Sequence, residues 1–143
     1  MAVKDSPRDW VNEHIQKYVE TDGAEGHEWR PGVHTLLLTT MGRKSGEKRR
    51  TALIYQPSGD DYVVVASQGG KPVHPSWYLN LEEEPVVDVQ VAAEKFQARA
   101  RTAGPDERDR LWTLMNEVWP AYTEYQQKTD REIPVVVLER VKG

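Results

Sequence analysis

Residues 33–68 read VHTLLLTTMGRKSGEKRRTALIYQPSGDDYVVVASQ. Runs rich in apolar and β-branched residues alternate here with turn-forming ones. VHTLLLTTM, TALIYQP and YVVVASQ read as strands, with Pro57 near the end of the second. GRKSGEKRR reads as a basic turn and SGDD as a tight one. Strands joined this closely form hairpins. Hairpins favour an antiparallel sheet or small barrel over a doubly wound sheet.

The flanking sequence fits that frame. GGKPVHPS, with two Gly and two Pro, reads as irregular, and WYLNLEEE as a short helix ended by Pro85. VVDVQV and KFQARART alternate with period two and read as a hairpin turned at AAE. PDERDRLWTLMNEVW reads as a helix opened by Pro105, with Leu111, Trp112, Leu114, Met115 and Val118 inward. Pro120 breaks it, AYTEYQQKT adds another helical turn or two, and IPVVVLERV closes the chain as a strand. Upstream, SPRDWVNEHIQKYVE reads as a helix started by Ser6, Pro7 and Asp9, with Trp10, Val11, Ile15, Tyr18 and Val19 on one face. TDGAEGHEWRPG reads as a linker in which Gly23 and Gly26 stop that helix. The expectation is a mainly β, α+β fold with six antiparallel strands and peripheral helices. Residues 1–30 form helix and linker, and residues 31–143 the β domain.

A chain of 143 residues with 38% hydrophobic content suits one globular domain with a real core. Its formal charge is −4, yet residues 39–55 carry +4 from Arg43, Lys44, Lys48, Arg49 and Arg50 against Glu47, so the remainder carries −8. One basic patch on an acidic protein suits a local anion site and not general nucleic-acid binding. The absence of Cys excludes disulfides, thiolate zinc ligands and a cysteine nucleophile. No apolar leader segment shows at the start, and runs such as LLL and VVVA are too short to span a bilayer. A cytoplasmic protein without integral membrane contact is expected; peripheral contact through Trp10 and the oligomeric state stay open.

Three segments carry candidate chemistry. In the first, Gly42 and Gly46 bracket Arg43, Lys44 and Ser45. Such a turn can aim N–H groups, a hydroxyl, an ammonium and a guanidinium at one phosphate; the alternative is a solvated hairpin loop. It is not a P-loop, because Arg43 follows Gly42 and no Gly stands five residues before it. In the second, ASQGGKPVHPSWYLN, paired Gly residues let a ligand lie against the backbone, and Trp77 and Tyr78 either stack on a ring or anchor a helix in the core. In the third, Trp119, Tyr122 and Tyr125 recur every three residues and share a helical face, lining either the core or a cleft. His14, His27, His34 and His74 show no metal-ligand spacing, so no metal is expected. No acid–base or nucleophile set stands out. An enzyme built this way borrows its chemistry from an organic cofactor.

LLLTTMGRKSGEKR, VVVASQGGKPVHPSWYLNLEEEP and WPAYTEYQQKTDREIPVVVLE together resemble the deazaflavin-dependent nitroreductase family. These are split β-barrel oxidoreductases, FMN-binding-like in fold, that use reduced coenzyme F420. The resemblance covers residues 35–139. It implies hydride transfer from a strongly anionic cofactor to a flat, conjugated small-molecule acceptor: a quinone, an enone or a nitroaromatic. By resemblance, Arg43, Lys44, Ser45 and Gly46 hold the phosphate, with Arg49 beside it and Arg50 or Lys48 at the glutamate tail. Thr51, Ala52, Leu53 and Ile54, with Val65, Ala66, Ser67 and Gln68, match positions along the ring and ribityl chain. Ser76, Trp77, Tyr78, Leu79 and Asn80 match those that close over the cofactor. Ile54, Trp119, Tyr122 and Tyr125 match the substrate side, and Ser67, Tyr122 and Tyr125 the hydrogen-bond donors to the acceptor. Two departures stand out. Gln68 replaces a family Lys, which makes one tail contact neutral. Ile54 and Trp119 stand where some members carry Tyr, which favours quinones over nitroimidazoles. The rival readings are a split barrel that binds flavin mononucleotide (FMN), a non-catalytic F420 carrier or sensor, and a nucleic-acid module.

Overall fold

The computed structural model describes residues 3–5 and 9–141. The expected helix-starting residues Ser6 and Pro7, and the side chains of Asp9, Trp10 and Val11, lie outside the described residues. Among the described residues nine strands form the sheet: β1 (Val3–Asp5), β2 (Glu28–Arg30), β3 (Val33–Met41), β4 (Lys48–Ile54), β5 (Gln56–Ser58), β6 (Asp61–Val65), β7 (Val86–Val91), β8 (Glu94–Thr102) and β9 (Val135–Arg140). The helices are α1 (Asp9–Glu20), α2 (Ser76–Glu83), α3 (Pro105–Val118) and α4 (Ala121–Gln127). β3, β4 and β6 to β9 are the six expected strands, but β4 begins at Lys48: Lys48, Arg49 and Arg50, read as part of the basic turn, pair with Met41, Thr40 and Thr39 as strand. The other three have only three residues each, too few to show a period. β5 is the tail of the TALIYQP run, cut off at Tyr55.

The strand order is β1-β4-β3-β7-β8-β9-β6-β5, with β2 beside β3. Every pairing is antiparallel except that of β1 with β4. The order itself forces curvature. β4 lies near one end of the sheet and β5 at the other, yet only Tyr55 separates them in sequence. The sheet must roll up until its ends meet, giving a split barrel. Tyr55 is buried at that seam, and its hydroxyl lies 2.7 Å from His27 Nε2.

Alternation along each strand divides the core in two. Val64, Val136 and Leu138 face the barrel interior with Leu36, Leu38 and Val89. Val63, Val65, Val135 and Val137 face outward beneath α3 and α4, against Leu111, Met115 and Tyr122. Strands covered on both faces become continuous apolar runs, which explains VVV in both β6 and β9. α1 covers part of the other outer face through Ile15 and Tyr18, which pack against Leu37 of β3. The Tyr18 hydroxyl donates to Thr35 O at 3.0 Å and accepts from Ala92 N at 2.7 Å, so one side chain ties α1 to β3 and to the β7–β8 turn. No helix among the described residues is long and apolar enough to cross a membrane.

Candidate active site

A cavity of about 990 Å³ opens along β4, and every residue from Arg49 to Ile54 contributes to its wall. That volume suits a large organic ligand. At the start of β4 the cavity meets Arg43, Lys44 and Ser45; at its end, Ile54 packs into the cluster that holds Trp119, Tyr122 and Tyr125. One strand thus spans from a cationic region to an aromatic one.

The basic turn closes on itself. Gly46 N–H donates to Gly42 O at 2.9 Å, and Gly42 N–H donates to Glu47 O at 2.8 Å. Gly46 has φ of +71°, the left-handed region that glycine enters without strain. A Cβ on Gly42 would sit 2.7 Å from Ser45 Oγ, so this glycine lets the serine fold over the turn. The turn is also held from outside. Asn80 of α2, 3% exposed, accepts from the Arg43 backbone N–H and guanidinium and donates to Thr40 Oγ1 of β3. β4 leaves the turn with Lys48 paired to Asp88 at 3.2 Å.

Ser67 and Gln68 line the middle of the cavity on a turn that runs to Lys71. Gln68 has φ of +46°, a region that non-glycine residues seldom occupy. Gly70 packs against α4 so closely that a Cβ would lie 2.6 Å from Tyr125 O. The Arg131 guanidinium lies under this turn and donates to the carbonyls of Ala66, Ser67 and Lys71.

The aromatic region joins three elements. Trp119 follows α3, Tyr122 and Tyr125 belong to α4, and Trp29 comes from β2. Trp119 is not helical, because Pro120 interrupts the helix; the expected single helical face is two segments meeting at a bend. Trp119 Nε1 still reaches Tyr125 Oη at 3.4 Å, and the Trp29 and Trp119 rings lie 5.4 Å apart. Burial holds the Tyr122 hydroxyl well above the usual tyrosine range, with Tyr125 adding to the effect. Tyr122 therefore stays a neutral hydrogen-bond donor across ordinary pH.

Most of the residues singled out from the sequence meet in this cavity. Gly46, Lys48, Ala66, Tyr78 and Leu79 are not among those that line it. Ala66 is sealed in the barrel core, and Tyr78 is buried with its hydroxyl 2.7 Å from Thr102 Oγ1. The neighbours Trp77 and Tyr78 divide the two roles open to them: Trp77 lines the cavity and Tyr78 anchors α2. His14, Trp29, Thr35 and Lys71 line the cavity without having been singled out for it. His14 and Trp29 precede β3 in sequence, and only the pairing of β2 with β3 and the docking of α1 bring them in. His14 Nε2 lies 3.1 Å from Thr35 Oγ1, whose proton goes to Gly26 O, so His14 is the donor. Among the described residues no cluster of His, Asp or Glu has the makings of a metal site.

Residues 10–140 match the family model described as F420H(2)-dependent quinone reductase. An F420H(2)-dependent quinone reductase of Mycobacterium tuberculosis (strain ATCC 25618 / H37Rv) is 42% identical over 130 residues, spanning 89% of this chain and 87% of the relative. A solved structure titled as an F420-H2 dependent reductase (FDR-A) is 44% identical, with a TM-score of 0.68 over 73% of this chain and 93% of that one. Another, titled as a domain-swapped dimer, is 43% identical, with a TM-score of 0.72 over 94% of this chain and all of that one.

Proposed function

The chain belongs to the F420H(2)-dependent quinone reductase family, and from that premise we propose how its residues divide the work of moving a hydride from reduced coenzyme F420 to a quinone. The observation that carries the reading is the continuity of one cavity from the basic turn, along β4, to the aromatic wall. The residues present fit an elongated ligand with an anionic segment and a flat ring. Arg43, Lys44 and Arg49 supply cations, Ser45 a hydroxyl, and Gly42 the close approach at the turn.

Arg43, Lys44, Ser45 and Arg49 would hold the cofactor's phosphate, and Arg50 would serve its acidic tail. Lys71 restores a cation near Gln68, where the family pattern has Lys. Residues 51–54, Val65 and Gln68 would line its length, and Ser76, Trp77 and Asn80 would close over it from α2. The bound cofactor supplies the hydride. Trp29, Trp119, Tyr122 and Tyr125 exclude water and stack the acceptor flat, which aligns the reacting atoms. Negative charge develops on the acceptor oxygen. Ser67, Tyr122 and Tyr125 donate hydrogen bonds to it, each worth about 3 kcal/mol in a water-poor site. The acceptor is a small molecule, with quinones favoured over nitroimidazoles because Ile54 and Trp119 bring no hydroxyl to the pocket. The protein works in the cytoplasm.

The test is a fluorescence-quenching titration with oxidised coenzyme F420 beside a parallel one with flavin mononucleotide, followed by turnover on a quinone series. Selective F420 binding, weakened in Arg43→Ala/Lys44→Ala, supports the assignment. Preference for the flavin, or a double variant that binds normally, removes it.

A further inference from the structure

Arg131 lies in the α4–β9 connection, far in sequence from the turn it holds. Its guanidinium makes four hydrogen bonds: to Ser67 O at 2.6 Å, Lys71 O at 2.8 Å, Ala66 O at 3.2 Å and His74 Nδ1 at 3.0 Å. An arginine offers five N–H groups in a rigid plane, and four of them are engaged here. Guanidinium nitrogens only donate, so His74 Nδ1 is the acceptor and His74 is the neutral Nε2–H tautomer. The His74 ring in turn lies 4.9 Å from Tyr78, the buried anchor of α2.

The bonded carbonyls belong to the segment that carries Ser67, Gln68 and Lys71 into the cavity. That segment does not hold its shape by local preference. Gln68 sits at φ of +46°, and Gly70, at φ of +81°, is wedged against Tyr125. A non-glycine residue in the left-handed region costs on the order of 1–3 kcal/mol and persists only where its surroundings enforce it. Within the turn the enforcement is slight: Gly70 N–H to Ser67 O at 2.9 Å and Lys71 N–H to Gln68 O at 3.2 Å. Outside the turn Gln68 Nε2 donates to Val73 O at 3.1 Å and Gly70 rests on α4, but it is the guanidinium that grips the carbonyl of the very residue whose hydroxyl is assigned to the acceptor.

We propose that Arg131 is a positioning residue: by bracing the carbonyls of Ala66, Ser67 and Lys71 it imposes the Ser67–Gln68 backbone and so aims the Ser67 hydroxyl at the acceptor. This rests on the role given to Ser67 above. Arg131 is absent from the cavity wall and acts through the turn. Its planar fork is the working part, so lysine, with the same charge, does not replace it.

Two measurements test this. The first needs no cofactor. Amide hydrogen exchange is compared between the native protein and Arg131→Lys, with β3 amides as internal reference. Exchange at Gly70 and Lys71 is expected to rise about tenfold or more, as charge-assisted bonds to the turn are lost, while β3 keeps its protection. Equal acceleration everywhere means a general loss of stability and overturns the proposal; no acceleration at Gly70 and Lys71 overturns it too. His74→Ala removes one of the four bonds and serves as the milder variant if Arg131→Lys does not fold. It should accelerate the same two amides by a smaller factor, and unchanged exchange there counts against the brace.

The second is a double-mutant cycle with Ser67→Ala, read as kcat on a quinone at saturating F420H2. If Arg131 works through Ser67, Arg131→Lys lowers kcat about as much as Ser67→Ala and the double variant falls no further. Multiplying losses, or an inert Ser67→Ala beside an impaired Arg131→Lys, overturn the coupling. Failure of the cofactor reading itself looks different: the native protein then binds no F420, while the exchange experiment still decides whether Arg131 braces the turn.

Discussion

Asn80 Oδ1 accepts two hydrogen bonds from Arg43, one from the backbone N–H at 3.2 Å and one from the guanidinium at 2.9 Å. A buried amide on α2 thereby sets the direction of a cation on the β3–β4 turn. Asn80→Ala leaves both Arg43 donors and Thr40 unpaired. Stability should fall by about 1–3 kcal/mol and F420 affinity by about tenfold. Asn80→Asp keeps the acceptor but adds a negative charge beside the proposed phosphate site. Its affinity should fall further for a smaller loss of stability. Denaturant melts and quenching titrations on the pair read both quantities, and equal affinity in the two variants would refute the orientation argument.

Tyr122→Phe removes a hydroxyl and little else, since the ring stays packed beneath α3. Turnover should drop on the order of 100-fold with the F420 dissociation constant nearly unchanged. Because burial raises the Tyr122 pKa, alkaline loss of activity near pH 10 should be no different in the variant. A variant that loses cofactor affinity and keeps turnover would assign Tyr122 to the wrong ligand.

Three histidines impose an acid limit. His14 is held below its ordinary pKa by burial; His27 by burial and the charge of His34; His74 by burial and the charge of Arg131. Each binds its proton less readily folded than unfolded. Their contribution to stability is complete above the ordinary histidine value of about 6.5 and is lost as pH falls from there through the lowered values. Melting temperature should therefore be flat from pH 8 to 7 and decline below about 6.5. The decline should be shallower in His74→Gln, which cannot take the proton. Identical slopes would mean that His74 has no part in it.

Gly70→Ala pushes a methyl group toward Tyr125 O at 2.6 Å from a backbone with φ of +81°. The turn and α4 must separate. A loss of about 2–4 kcal/mol is expected, with quinone turnover falling alongside it as Ser67 and Tyr125 move apart. Gly69→Ala, at φ of +63° with nothing within 4 Å, carries only the backbone strain and serves as the comparison. Equal melts for the two would deny the close approach.

What the sequence reveals follows from how local each cause is. The alternation in β7 and β8, the Gly-bracketed turn from Gly42 to Gly46 and the start of α3 at Pro105 are written in consecutive residues, and they read correctly. β2 is a three-residue strand whose existence depends on β3 beside it, so EWR reads as linker and Trp29 goes unnoticed as a cavity residue. Asn80 and Arg131 act over 37 and 64 residues respectively. Nothing near either position marks it. HPSWYLN shows at most that Asn80 stands among apolar residues, and in TDREIP Arg131 stands between two acids, so neither stretch says which partner its polar side chain takes.

The rolled sheet has one further effect. Among the described residues no hydrogen-bonded ladder joins β4 to β6, although the two approach each other where the cavity opens. A barrel open along that line is short of a stave, and a cofactor bound along β4, as proposed above, would take its place. Occupancy then counts toward folding: a cofactor present at a hundred times its dissociation constant adds about 2.7 kcal/mol to the folded state. The quantity of intact enzyme in a cell would follow its supply of cofactor, and cofactor starvation would first appear as protein turnover.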